Sequence, residues 1–150
     1  MIVVASDHAA VEFKQRVVEV LAARGKRFAD LGPADDRSVD YPDYAHRLVA
    51  EITAGRAERG ILICGTGIGM SMAANRHPGI RAALCHDAYT AQMARRHNDA
   101  NVLCLGGRVL GVGVAEQIIE IFLDTAFEGG RHQRRVAKIE PVDTDRMEGS

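Results

Sequence analysis

The sequence predicts an α/β protein: a three-layer αβα, Rossmann-like fold around a five-stranded parallel sheet. Two observations predict it. Short β-rich apolar runs alternate with segments of helical period along the whole 150-residue chain, the pattern of βα units wound right-handed about one sheet. The clearest of those runs, Gly60–Cys64, leads straight into a glycine loop, Gly65, Gly67 and Gly69. With 47% hydrophobic and 26% charged residues the chain can bury a core, and its length fits one domain, over about residues 1–140.

In chain order, Ile2–Ala5 reads as a buried first strand. Phe13, Val17, Val20 and Leu21 then recur at helical spacing up to Gly25, a C-terminal stop. Lys26–Asp30 is a weaker second strand, followed by a polar loop. Pro42 fits the first turn of a helix whose buried face is Ala45, Leu48, Val49 and Ile52. After the third strand and its loop, Ser71–Arg76 suggests a short helix. Ile80–Cys85 is a fourth strand, and Asp87 is placed to cap a helix running to His97. Asn101–Gly107 is the fifth strand, and Gly111–Phe127 a last long helix. From about residue 128 the chain is poor in apolar residues; it is expected to pack over the surface or a partner subunit, with 141–150 a mobile tail.

Several classes are excluded on charge and pattern. A net charge of −1 without a basic block gives nucleic acid no electrostatic footprint. No apolar run nears the roughly 20 residues needed to span a bilayer, and the N-terminus lacks the basic region of a signal peptide. Cys64, Cys85 and Cys104 are odd in number and each sits in an apolar run, so they read as reduced thiols of a cytoplasmic protein.

In a doubly wound sheet the ligand crevice lies beyond the carboxyl ends of the strands. That rule gathers Ser6–Asp7–His8, Cys64–Gly65–Thr66, His86–Asp87 and Gly106–Gly107–Arg108. The glycine loop suits an anion, because bare backbone N–H groups and a following helix N-terminus face it. It is not a Walker loop, since no Gly-Lys-Ser/Thr follows. Met70 stands where a dinucleotide fingerprint has its third glycine, although Asp87 could serve as a ribose-binding acid. Cys64 has two readings: a small buried hydrophobe, or a reactive thiol at the mouth of a helix N-terminus. His97 is equally a surface histidine at a helix end or a general acid/base. Asp7 is a natural cap for the first helix. Arg131 and Arg135, spaced i, i+4, would share a face on a helical turn and could clamp one phosphate. Tyr41 before Pro42 can serve packing alone.

The stretches ASDHAA, DYPDYA, ILICGTGIGMSMAANR, GIRAAL, RRHNDANVL, GGRVLG and EGGRHQRRV, in this order from residue 5 to 136, together resemble the type B ribose-5-phosphate isomerases. That family also holds allose-6-phosphate and galactose-6-phosphate isomerases. The resemblance implies a metal-free, cofactor-free aldose–ketose isomerisation of ribose 5-phosphate and ribulose 5-phosphate through a cis-enediolate, in the non-oxidative pentose phosphate pathway. It implies Cys64 as the base. The amides of Gly65, Gly67, Gly69 and Ser71, with the Thr66 hydroxyl, become an oxyanion site. His97 becomes the ring-opening group, with Asp7 and Asn98 on the sugar hydroxyls. His8, Arg131 and Arg135 anchor the phosphate, assisted by Arg108, and Tyr41 lines the substrate. One branch of the family has serine for this cysteine and a glutamate base where this chain has Met70, so the chain resembles the cysteine branch. The family also implies a homodimer or homotetramer, with His97 and Asn98 supplied by the partner subunit. A six-carbon sugar phosphate is the alternative within this class; a nucleotide-binding regulatory module using the glycine loop and Asp87 is the alternative outside it.

Overall fold

The computed structural model describes residues 1–140; the expected mobile tail, 141–150, lies outside the described residues. Five strands form one parallel sheet: β1 (Ile2–Ser6), β2 (Phe28–Asp30), β3 (Arg59–Cys64), β4 (Ala82–Leu84) and β5 (Val102–Gly106), in the order β2-β1-β3-β5-β4. The central ladders are the long ones. β1 pairs with β3 over five positions, Ile2 with Arg59 through Ser6 with Ile63, and β3 pairs with β5 from Gly60–Val102 to Cys64–Gly106. Apart from Arg59 at the strand start and Ser6 at the strand end their side chains are apolar, and all but Arg59 are buried, as a parallel sheet between two helix layers requires.

Alternation along the strands divides the core in two. Val4, Ile61, Ile63, Leu103 and Leu105 face one layer, built from α1 (Val11–Ala23), α4 (Ala88–Asn98) and α5 (Val112–Asp124). Val3, Leu62, Cys64, Val102 and Cys104 face the other, built from α2 (Tyr41–Thr53) and α3 (Ile68–Ala74). Cys64 therefore points towards α3, against Met70 and Ala74.

The predicted architecture stands, with element ends corrected. The second strand starts at Phe28 and the fourth spans only Ala82–Leu84, both being edge strands that have a single neighbour to define them. α5 ends at Asp124 instead of Phe127, because Thr125 turns extended. The segment after 128 is not wholly irregular: Gly129 and Gly130 turn the chain at positive φ into α6 (Arg131–Val136), which packs on α4. No helix among the described residues is long and apolar enough to cross a membrane.

Candidate active site

The site begins where β1, β3 and β5 end. The Asp7 N–H donates to the Ile63 carbonyl at 3.0 Å, and the Gly107 N–H to the Cys64 carbonyl at 2.8 Å. These bonds carry the ladder just past the last strand residues and draw three strand ends together. Asp7 is buried, and its Oδ1 accepts the Ala9 N–H at 3.0 Å; it caps the short 3-10 turn His8–Ala10 and not, as expected, the first α-helix, whose N-cap is Ala10 without a side-chain cap bond. His8 is fixed by Val39, whose N–H and carbonyl both stand 3.2 Å from Nδ1.

Beyond Cys64 the loop is shaped by glycine. Gly67 is the N-cap of α3 at φ 78, left-handed backbone, and a Cβ there would stand 2.9 Å from the Leu105 carbonyl carbon. With that turn made, the Gly67 N–H donates to Cys64 Sγ at 3.1 Å. The thiol is 6% exposed, at the rim of the core where the loop starts. Thr66 Oγ1 accepts the Ile68 N–H at 3.3 Å, and Ser71 Oγ donates to the Ile68 carbonyl at 2.7 Å. Tyr41 lies over the first turn of α3: a Cβ on Gly69 would meet its ring at 2.7 Å. Arg108 arches over Gly65, its Cδ 3.5 Å from where a Cβ would be, and its N–H donates to the Gly65 carbonyl at 3.0 Å. Asp7, His8, Tyr41, the Cys64–Ser71 loop and Arg108 thus stand at one end of the sheet. Met70 is fully buried.

The other cysteines are core residues. Burial pushes the Cys85 thiol up to about 11 and Cys104 higher still. Asp87 is committed as the N-cap of α4, its Oδ1 accepting the Thr90 N–H at 2.7 Å. The Thr90 bonds hold its carboxyl below the usual range.

His97 and Asn98 are elsewhere. α4 starts at the crevice end, and its eleven residues carry it about 16 Å back along the sheet. Arg81, at the start of β4, donates from Nε to the Asn98 carbonyl at 2.9 Å, so these residues stand beside the amino ends of the strands. Asp99, at φ 45, closes the helix there; Arg95, buried, bonds Asp99 Oδ1 at 2.9 Å and the Ala100 carbonyl at 2.6 Å. α6 brings Arg131 and Arg135, both exposed, to this same end. A cavity of about 410 Å³ also opens here, bordered by Asn75, His77, Arg81 and Asn98 and by none of the Cys64 loop. One chain therefore presents the predicted residues as two halves at opposite ends of the sheet. Sequence reasoning missed Glu128 and His132, which flank His97. Their i, i+4 spacing and the second histidine near the arginines were the available signals.

The sequence pattern of the Ribose/Galactose Isomerase family matches residues 2–139. Ribose-5-phosphate isomerase B of Escherichia coli is 43% identical over 140 residues, 93% of this chain and 94% of that protein. D-erythrulose-4-phosphate isomerase of Pectobacterium atrosepticum is 44% identical over 140 residues, covering 92% and 91%. A crystal structure of a ribose 5-phosphate isomerase from Thermotoga maritima superposes with a TM-score of 0.92 at 52% identity, covering 94% of this chain and 97% of that one. Those likenesses span nearly the full length of each protein and include both halves described above: this chain belongs to the ribose/galactose isomerase family and is an isomerase.

Proposed function

We propose that this isomerase interconverts D-ribose 5-phosphate and D-ribulose 5-phosphate through a cis-enediolate, at a site completed by a second copy of the chain. The observation that carries the reading is the Cys64–Ser71 loop. It sets a thiol, backbone N–H groups and the Thr66 hydroxyl together at the carboxyl end of β3. Cys64 moves the proton between C1 and C2. The loop amides hold the negative charge that grows on the sugar oxygen, a role for preorganised donors. His97 opens the furanose, with Asp7 and Asn98 on the hydroxyls. His8, Arg108, Arg131 and Arg135 hold the phosphate, so that binding energy away from the reacting carbons orients them. Tyr41 lines the sugar.

Two features support a shared site. His97 and Asn98 are about a helix length from Cys64 within one chain. Beside the loop, α3 exposes Ile68 and Met72 at i, i+4, an apolar stripe suited to a second copy. Three unpaired buried cysteines suit a reduced, cytoplasmic setting, where the reaction would serve the non-oxidative pentose phosphate pathway. A related sugar phosphate is the second reading, because one relative at 44% identity is named for a four-carbon substrate.

The test is an isomerase assay on ribose 5-phosphate and on four- and six-carbon sugar phosphates, with wild type and Cys64→Ala. Turnover should be highest with ribose 5-phosphate. Cys64→Ala should lower kcat by about 10²- to 10⁴-fold while calorimetry still shows sugar-phosphate binding. Near-normal kcat in that variant removes the cysteine base.

A further inference from the structure

At the end of α4 stand two side chains that the roles above leave unassigned. Glu128 and His132 meet His97, the three presenting one polar atom each within 4.8 Å of one another. His132 is 7% exposed, and its Nε2 is buried without a hydrogen-bond partner among the described residues. That atom faces Glu128 Oε2 at 3.4 Å, and His97 Nε2 faces the same oxygen at 3.8 Å. Arg96 takes the other oxygen at 2.5 Å. The two imidazoles lie flat on one another, centroids 4.2 Å apart and planes 7° apart. Both partners are held by backbone: the Glu128 N–H donates to the Arg96 carbonyl, and the His132 N–H to the Gly129 carbonyl, each at 3.0 Å.

Such a group could bind a cation or hold a proton, and the ring geometry decides. A metal sits about 2.0–2.1 Å from each imidazole nitrogen, along the in-plane lone pair. Parallel stacked rings send those lone pairs along separate planes, so an ion on one axis lies well off the other. The carboxylate is also already paired with Arg96. A proton-holding arrangement meets neither objection: one carboxylate oxygen stands 3.4 Å from His132 Nε2 and 3.8 Å from His97 Nε2, and its negative charge favours hydrogen on the ring nitrogen that faces it.

We propose that His132 and Glu128 are positioning residues for His97, the His132 ring fixing the plane of its imidazole and the Glu128 carboxylate keeping its proton on Nε2. Nδ1 is then the atom that works on the sugar. It takes the proton of the anomeric hydroxyl as C1=O forms and the C1–O4 bond breaks with its electron pair going to O4; the same proton is then delivered to O4. This inference rests on His97 being the ring-opening group. The charged or titratable groups around the stack are Arg96 from α4, Glu128 from the connection, and Arg131 and Arg135 from α6. Burial first, then His97, Arg131 and Arg135, lowers the proton affinity of His132 against the pull of Glu128, which suits its ring to serve as a flat support.

The experiment combines kinetics on ribose 5-phosphate with NMR of ¹⁵N-labelled imidazoles in wild type, His132→Ala, His132→Phe and Glu128→Gln. His132→Ala should lower kcat by about 10- to 100-fold, the cost of misplacing a catalytic group, with KM little changed. His132→Phe keeps a flat ring and should recover most of that loss. Glu128→Gln should move His97 from the Nε2–H towards the Nδ1–H tautomer. In a His97→Ala background, His132→Ala should cost nothing more, since the two act as one unit. An unchanged His97 tautomer and titration in all three variants overturns the proposal, as does an undiminished His132→Ala loss in the His97→Ala background. Wild-type turnover by His97→Ala would sink the ring-opening role itself, and is distinguishable because the NMR spectra read the His97 tautomer whatever its role.

Discussion

The two ends of the sheet are built from different material. At the carboxyl ends of the strands a backbone loop, turned by Gly67 in its left-handed conformation, sets N–H groups beside the Cys64 thiol, with Asp7, His8 and Arg108 around it. At the other end the polar atoms belong to charged and titratable side chains: Arg95 and Arg96 on α4, Arg131, His132 and Arg135 on α6, Arg81 before β4 and Glu128 before α6. The first kind of surface offers fixed partial charges to a developing oxyanion. The second offers full charges and proton carriers, suited to a phosphate and to acid–base steps. Isomerisation of a cyclic sugar phosphate needs both, and a single chain keeps them about a helix length apart.

The largest effect should come from testing that separation directly. Cys64→Ala and His97→Ala chains, each nearly inactive alone, should regain activity when unfolded and refolded together. In a dimer with shared sites, equal mixing makes half the molecules mixed, each with one unaltered site, so about a quarter of wild-type sites return. A mixture as dead as its components would place both residues in one chain's site.

A thiol reagent should tell the loop end from the core between the ends. Cys85, held up to about 11, and Cys104, higher still, are poor nucleophiles at neutral pH. Iodoacetamide at pH 7.5 should therefore inactivate with one label, on Cys64, and sugar phosphate should slow it. Peptide mapping that finds Cys85 or Cys104 labelled first would break the distinction.

Two glycine substitutions should rank the ends by rigidity. Gly129 has φ 64 with nothing within 4 Å of an added Cβ, so Gly129→Ala should cost only backbone strain, about 1–3 kcal/mol. Gly67→Ala carries the same strain and also drives a Cβ to 2.9 Å from Leu105 backbone. Its melting midpoint should fall further than that of Gly129→Ala; equal midpoints would mean that the loop yields.

The loop end was legible in the sequence and the helix end only partly so. Ile61–Cys64 is apolar because both its faces are buried, and the glycines follow at once, so strand, loop and crevice could be read in one stretch. Asp87 and Pro42 announced their helix starts by local chemistry. α6 gave no such signal. Arg131–Val136 is short and almost wholly polar, and what makes it an element is the pair of positive-φ glycines before it and His132 packing on His97. Contacts between residues 97 and 132 are tertiary facts, invisible to periodicity. The family resemblance supplied roles for Arg131 and Arg135 but none for Glu128 or His132.

The smallest expected effect is a pH signature of the helix end in stability alone. His132 has its proton affinity lowered in the folded chain, chiefly by burial, then by His97, Arg131 and Arg135. Unfolded, it titrates near 6.5. Above that value His132 is neutral in both states and adds no pH dependence. As pH falls through 6.5 the unfolded chain takes up a proton that the folded chain still refuses, so its contribution to stability shrinks until the folded value is passed. The melting midpoint should thus fall between about pH 7 and pH 5, with a His132→Phe chain showing a shallower slope over the same window. Gly65–Gly69 carries no titratable side chain, so Gly67→Ala should leave the wild-type slope in place. Equal slopes for wild type and His132→Phe would mean that His132 is solvated in the folded chain, and that the stack at the end of α4 is looser than its 4.2 Å spacing implies.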